Sequence, residues 1–125
     1  MVRHTKFAAE ETRKQILDAA EFCFCETGFS KTTLEMIAVR AGCTRGAIYW
    51  YFNEKKDLLR QVIERVPLSL FDELTAIKNG RVSEPVKAMY RCLSRSLIKL
   101  QYNVHLRNVI YIVFFCEECP DDIRI

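Results

Sequence analysis

Between Arg45 and Tyr51 the chain reads RGAIYWY, which puts a guanidinium fork, two residues of minimal bulk and three aromatic rings into one short stretch. That combination suits the reading of a DNA groove. Arg45 offers paired donors for guanine O6 and N7, and Gly46 and Ala47 let a helix backbone come close to base edges. Tyr49 and Tyr51 carry hydroxyls that donate to phosphate oxygens. An aromatic cluster on a short helix is also what a piece of buried core looks like, so the flanking residues decide between the two. Ile48 and Phe52 stand four apart and anchor one face inward, leaving Arg45, Gly46, Tyr49, Trp50 and Tyr51 on or beside the outward surface. Thr44 precedes the stretch as a helix cap. Lys55 follows a second cap at Asn53, where an ammonium beside the amides of a helix start favours a phosphate.

These residues need a short helix held at a steep angle to a supporting one. The segment Thr32-Thr33-Leu34-Glu35 reads as a capping box, with the Thr32 hydroxyl on the Glu35 amide and the Glu35 carboxylate reaching back. Leu34, Ile37, Ala38 and Ala41 then share one face of a helix that Gly42 ends. With Thr44 capping the next helix, the turn is about three residues long. A second helix over 45–51 is about 10 Å long at 1.5 Å per residue, enough to lay its first turn in a major groove. The pattern predicts a helix-turn-helix motif over 33–52. Its candidate DNA-contacting set is Thr33, Thr44, Arg45, Gly46, Ala47, Tyr49, Trp50, Tyr51 and Lys55.

The stretch from Thr32 to Leu58 resembles the DNA-binding signature of the TetR family, and TRGAIYW resembles its AcrR branch of drug-efflux repressors. The resemblance implies an all-α fold, with a three-helix TetR-type DNA-binding domain over 10–70 and a partial helical effector and dimerisation domain over 71–125. It also implies a sequence-specific transcriptional regulator, a repressor of an efflux-pump operon. Its partners would be a palindromic double-stranded DNA operator, an apolar small-molecule effector and a second copy in a homodimer. TetR-like regulators ordinarily continue with further helices, so the sequence resembles a regulator whose C-terminal part is missing. The reading from another class is a truncated interaction protein that pairs with a longer relative and no longer holds its operator.

Composition sets wider bounds. The chain has 125 residues, half of them hydrophobic, enough for one modest core with a small subdomain. The formal net charge of +3 permits nucleic-acid binding without arguing for it, and no basic tail stands out. The charged N-terminal stretch lacks the apolar core of a secretory signal. The longest apolar run, Val109 to Cys116, is far shorter than the roughly 20 residues of a membrane span. A cytoplasmic protein with its six cysteines reduced is expected.

Along the chain, residues 1–8 read as an arm carrying Arg3, His4 and Lys6. A supporting helix runs from Ala9 or Glu10 to Gly28, burying Ile16, Leu17, Ala20, Cys23 and Phe24. After Asn53 a helix with Leu58, Leu59, Val62, Ile63 and Val66 on its apolar side should kink or break at Pro67, and Leu70 to Ile77 continue helical spacing to Asn79-Gly80. Pro85 opens the next helix, whose stripe of Val86, Met89, Tyr90, Leu93, Leu97 and Leu100 should pack on a neighbour. Beyond a turn at Asn103, Leu106, Val109, Ile110, Val113 and Phe114 form another stripe, on a helix expected to want neighbours on several sides. Met89, Tyr90, Phe114 and Phe115 read first as plain helix packing, and the resemblance implies the alternative of a pocket lining. Cys116 and Cys119 form a lone CxxC, and without a second pair or coherent histidine spacing they argue for no metal or redox site. No nucleophile motif or phosphate loop appears, so neither catalysis nor a cofactor is expected.

Overall fold

A computed structural model describes residues 6–66 and 69–115, with the backbone alone at 69–71 and 115. It is all-α: the described residues form seven helices and no strand. They are α1 (Lys6–Thr27), α2 (Leu34–Ala41), α3 (Arg45–Tyr49), α4 (Lys55–Glu64), α5 (Ser69–Lys78), α6 (Pro85–Tyr102) and α7 (Val104–Phe115). The chain divides into two compact units, Met1–Arg65 with Asn108–Ile125, and Val66–Arg107.

In the first unit α1 packs against α2 and α4, and α2 against α3. Helix α1 starts at Lys6, earlier than the Ala9 or Glu10 expected, so residues 6–8 are helix and not arm; the Thr12 hydroxyl donates to the Ala8 carbonyl at 3.0 Å. The apolar face read from the sequence is buried, with Ile16, Leu17, Ala20, Cys23 and Phe24 inward. Ile37, Ile48, Phe52, Leu58, Leu59 and Val62 close around it. Each fully buried large aliphatic or aromatic chain contributes about 1.5–3 kcal/mol of transfer free energy, so this small cluster is what holds the helices at fixed angles.

The turn chemistry follows the glycines. Gly42 adopts φ 73°, its amide donates to Val39 O at 3.2 Å, and the Cys43 amide reaches Ala38 O at 3.0 Å, which is a Schellman closure of α2. Gly80 ends α5 the same way, at φ 70° with the Arg81 amide on Ala76 O at 3.1 Å. The expected capping box is corrected. Thr32 is buried and its hydroxyl hydrogen lies between Gly28 O at 2.6 Å and Cys23 O at 3.1 Å. Both bonds fasten Thr32 to the last turn of α1 and the glycine after it, and the capping of α2 passes to Thr33, whose Oγ accepts from the Met36 amide at 3.1 Å. At α4 the expected Asn53 cap is also corrected: Glu54 is the N-cap residue and makes no side-chain cap bond. Asp57 reaches back instead, accepting from the Asn53 amide at 3.1 Å. The break expected at Pro67 falls outside the described residues; α4 has already ended at Glu64.

In the second unit α5 packs on α6, with Arg95 Nη2 3.3 Å from Glu73 Oε2. Pro85 is in the first turn of α6, as expected. The stripe on α6 does not meet a neighbour: Val86, Met89, Tyr90, Leu93 and Leu97 are exposed, and Cys92 is the buried residue of this helix. The ten-residue α5 takes the face beside the stripe, not the stripe itself. Asn103 ends α6 and caps α7, its Oδ1 accepting from the Leu106 amide at 3.1 Å. On α7 the buried positions are Leu106, Val109, Ile112 and Val113, while Phe114 is exposed and Ile110 half-buried. The predicted stripe was therefore rotated toward the wrong flank, because a helix apolar on nearly all sides gives periodicity little contrast.

Candidate nucleic-acid interface

Helix α3 is short because its job is local. Thr44, in extended backbone, caps it with Oγ accepting from the Ala47 amide at 3.1 Å. Ile48 and Phe52 are driven into the core, and that fixes which face turns outward. Thr44, Arg45, Gly46 and Tyr49 are exposed, Trp50 is 87% exposed, and Ala47 and Tyr51 are half-buried. Arg45 has no partner among the described residues. Thr33 and Thr44 each use an oxygen lone pair on a backbone amide, which leaves the hydroxyl hydrogen free to donate outward.

Gly46 is informative because the fold does not require it. A Cβ built there meets only Thr44 Oγ1, at an ordinary 3.9 Å. Glycine inside a helix costs about 1 kcal/mol relative to alanine, so the space it leaves on the outer face serves something other than internal packing.

Lys55, expected on a phosphate, turns its ammonium onto backbone carbonyls in this structure. Nζ donates to the carbonyls of Phe29 at 2.8 Å, Ser30 at 3.2 Å and Thr32 at 3.1 Å, and lies 4.5 Å from the centre of the Phe29 ring. All three ammonium hydrogens are used. Burial pulls its pKa down. Lys55 therefore ties the start of α4 to the loop between α1 and α2, and positions the motif from behind.

Two polar networks that sequence reading missed complete the support. Arg13 on α1 donates to Gln61 on α4, whose amide donates to Asp57 at 3.2 Å, and Asp57 in turn holds the Asn53 amide just after α3. The Arg13 guanidinium also lies 5.7 Å from the Phe52 ring centre. Of these contacts the Asp57–Gln61 pair, four residues apart on α4, is local in sequence. In the second network Arg65 donates to Asp18 at 2.7 Å and to the buried carboxylate of Glu21 at 3.1 Å. The other Glu21 oxygen accepts from Asn108 Nδ2 on α7 at 3.1 Å, and the Asn108 carbonyl accepts from the Cys25 thiol at 3.6 Å. Burial and the nearby Glu21 and Glu26 push that thiol up to about 11, keeping it a neutral donor. A partner 87 positions away has no local signal.

Residues 16–62 match the family model for bacterial regulatory proteins of the tetR family. The HTH-type transcriptional regulator TtgR of Pseudomonas putida is 36% identical over 122 residues, covering 98% of this chain and 58% of TtgR. The chain belongs to the TetR family. Among solved structures, NalD, the secondary repressor of the MexAB-OprM multidrug efflux pump in Pseudomonas aeruginosa, superposes with a TM-score of 0.73 at 33% identity, over 95% of this chain and 58% of NalD. SmeT, the repressor of the Stenotrophomonas maltophilia pump SmeDEF, solved with triclosan, gives a TM-score of 0.64 at 43% identity over 82% of this chain and 49% of SmeT. This TetR-family chain thus spans about half the length of these relatives. No described helix is long and apolar enough to cross a membrane.

Proposed function

We propose that the chain is a sequence-specific DNA-binding regulator of transcription, a repressor of an efflux-pump operon in the cytoplasm, that reads its operator with α3. Residues 10–70 carry the DNA-binding role and 71–125 the effector side. Arg45 reads a base, and Gly46 and Ala47 allow close approach. Thr33, Thr44, Tyr49, Trp50 and Tyr51 set the register on sugar and phosphate. The observation that carries this reading is the outward face of α3: an arginine without a partner among the described residues, beside a glycine the fold does not need, on a helix pinned by Ile48 and Phe52. Two such heads are needed on a palindrome, with half-sites spaced by about 34–36 Å or a multiple. The printed descriptions of NalD and SmeT as efflux-pump repressors support the choice of operon, and the triclosan complex of SmeT supports an apolar aromatic effector.

The test is selection from a pool of random duplexes with the purified 125-residue chain at fixed salt. An inverted repeat should be enriched by the natural chain and lost with Arg45→Ala. A pool that stays random after repeated rounds would overturn the proposal.

A further inference from the structure

Phe52 and Asn53 join α3 to α4, and how they are held sets the angle at which α3 stands. Phe52 is buried, and its amide closes the helix on Ile48 O at 2.9 Å. Asn53 is exposed, and the N-cap residue of α4, Glu54, makes no side-chain cap bond, so the Asn53 amide depends on Asp57 Oδ2 at 3.1 Å. The other oxygen of Asp57 accepts from Gln61 Nε2 at 3.2 Å, and Gln61 Oε1 accepts from Arg13. This chain of bonds has a fixed polarity. Arginine only donates, so Gln61 must turn its oxygen to Arg13 and its nitrogen to Asp57. A carboxylate only accepts, so Asp57 meets a donor on each side. The Arg13 guanidinium also lies 5.7 Å from the centre of the Phe52 ring, within cation–π reach. One side chain of α1 thus bears on both residues of the junction, on Phe52 directly and on Asn53 through two intermediaries.

We infer that Arg13 is a positioning residue for DNA reading: by orienting the Gln61 amide it makes Asp57 hold the exit of α3, and so fixes the angle at which Arg45 and Gly46 are presented. The inference rests on the reading of bases by α3, and it adds a residue that acts without touching DNA itself. Contacts to base edges need their donors held to within about 0.5 Å, so a loosened exit costs discrimination. Contacts to phosphate carry no sequence information, and their rotatable side chains follow a small shift of the backbone. Loss of Arg13 is therefore felt on the cognate duplex and little on any other.

The relay and its role on DNA are read separately, both on the full chain. Amide hydrogen exchange without DNA reads the relay. Arg13→Leu, which keeps an apolar stem against Phe52, should speed exchange at Asn53 about tenfold, and Arg13→Lys, with a cation and a donor for Gln61, should restore most of the protection. Gln61→Glu is the sharper variant. It keeps α1 and α4 joined, as an ion pair with Arg13, yet sets a second carboxylate against Asp57 where an amide nitrogen had donated. A clamp that merely stabilised the head would work as well or better with that change. The relay instead predicts faster exchange at Asn53. It also predicts, by fluorescence anisotropy at fixed salt, a preference for the enriched duplex over a scrambled one that falls about tenfold in Arg13→Leu and Gln61→Glu alike, with the scrambled duplex bound as before within about threefold. Unchanged exchange at Asn53 in both variants would overturn the inference. So would full discrimination by Gln61→Glu, or an equal loss on both duplexes with a flatter salt dependence for Arg13→Leu, which would make Arg13 a phosphate contact. A natural chain that enriches no repeat while protecting Asn53 would overturn the base reading by α3, and with it the DNA role of Arg13, but not the relay.

Discussion

At the level of single residues, the informative positions are those whose chemistry is not consumed by the fold. Arg45 and Gly46 are such residues; Lys55 is the opposite, with every donor engaged behind the motif. The two cases make opposed predictions. Gly46→Ala should fold as well as the natural chain or up to about 1 kcal/mol better, by relieving glycine's cost in a helix. It should nonetheless bind the enriched duplex about tenfold less tightly, because a methyl group now intervenes in a close approach. Urea melting and duplex titration read the two effects separately, and a loss of stability with unchanged binding would refute the assignment. Lys55→Met should do the reverse, leaving three carbonyls short of a donor. A loss of about 1–3 kcal/mol is expected, the cost of unmade buried hydrogen bonds. A Lys55→Met chain with the natural denaturation midpoint would show that the carbonyls are satisfied by water.

At the scale of elements, what the sequence announces is what local chemistry decides. Gly28, Gly42 and Gly80 end helices in left-handed backbone where the turn residues said they would, and Thr44 caps α3 as expected. Gly42→Ala should destabilise the chain by about 1–2 kcal/mol, the cost of left-handed backbone with a Cβ. Thermal melting checks it, and an unchanged midpoint would mean that the turn can relax. The errors have a common physical source. Thr32 and Thr33 are equivalent as letters, and which one caps α2 depends on the carbonyls of Gly28 and Cys23 that the Thr32 hydroxyl meets nearby in space. The stripe on α6 was legible as a stripe, but whether anything covers it is set by the reach of α5. Of the interface, the exposed face of α3 was readable from the Ile48 and Phe52 anchors, whereas the Arg13–Gln61 and Glu21–Asn108 bonds join residues far apart in sequence.

For the molecule as a whole, the proposed function asks one small head to discriminate among bases, and a modest net charge of +3 supplies little affinity by itself. Discrimination must then come from a few contacts made at close range, with a second head adding affinity on the same duplex. The first unit suits the proposed role: α1, α2 and α4 hold α3 by a buried cluster, and the Glu21 network fastens α7 to α1. The most direct test of the account is fluorescence anisotropy on two duplexes, the enriched inverted repeat and a scrambled one, at a single fixed salt concentration, for the natural chain and Arg45→Ala. The account predicts that Arg45→Ala weakens the enriched duplex by about 1–3 kcal/mol, roughly 5- to 150-fold, and leaves the scrambled duplex within about threefold. Equal losses on both duplexes, or none on either, would contradict the claim that α3 reads the operator through Arg45.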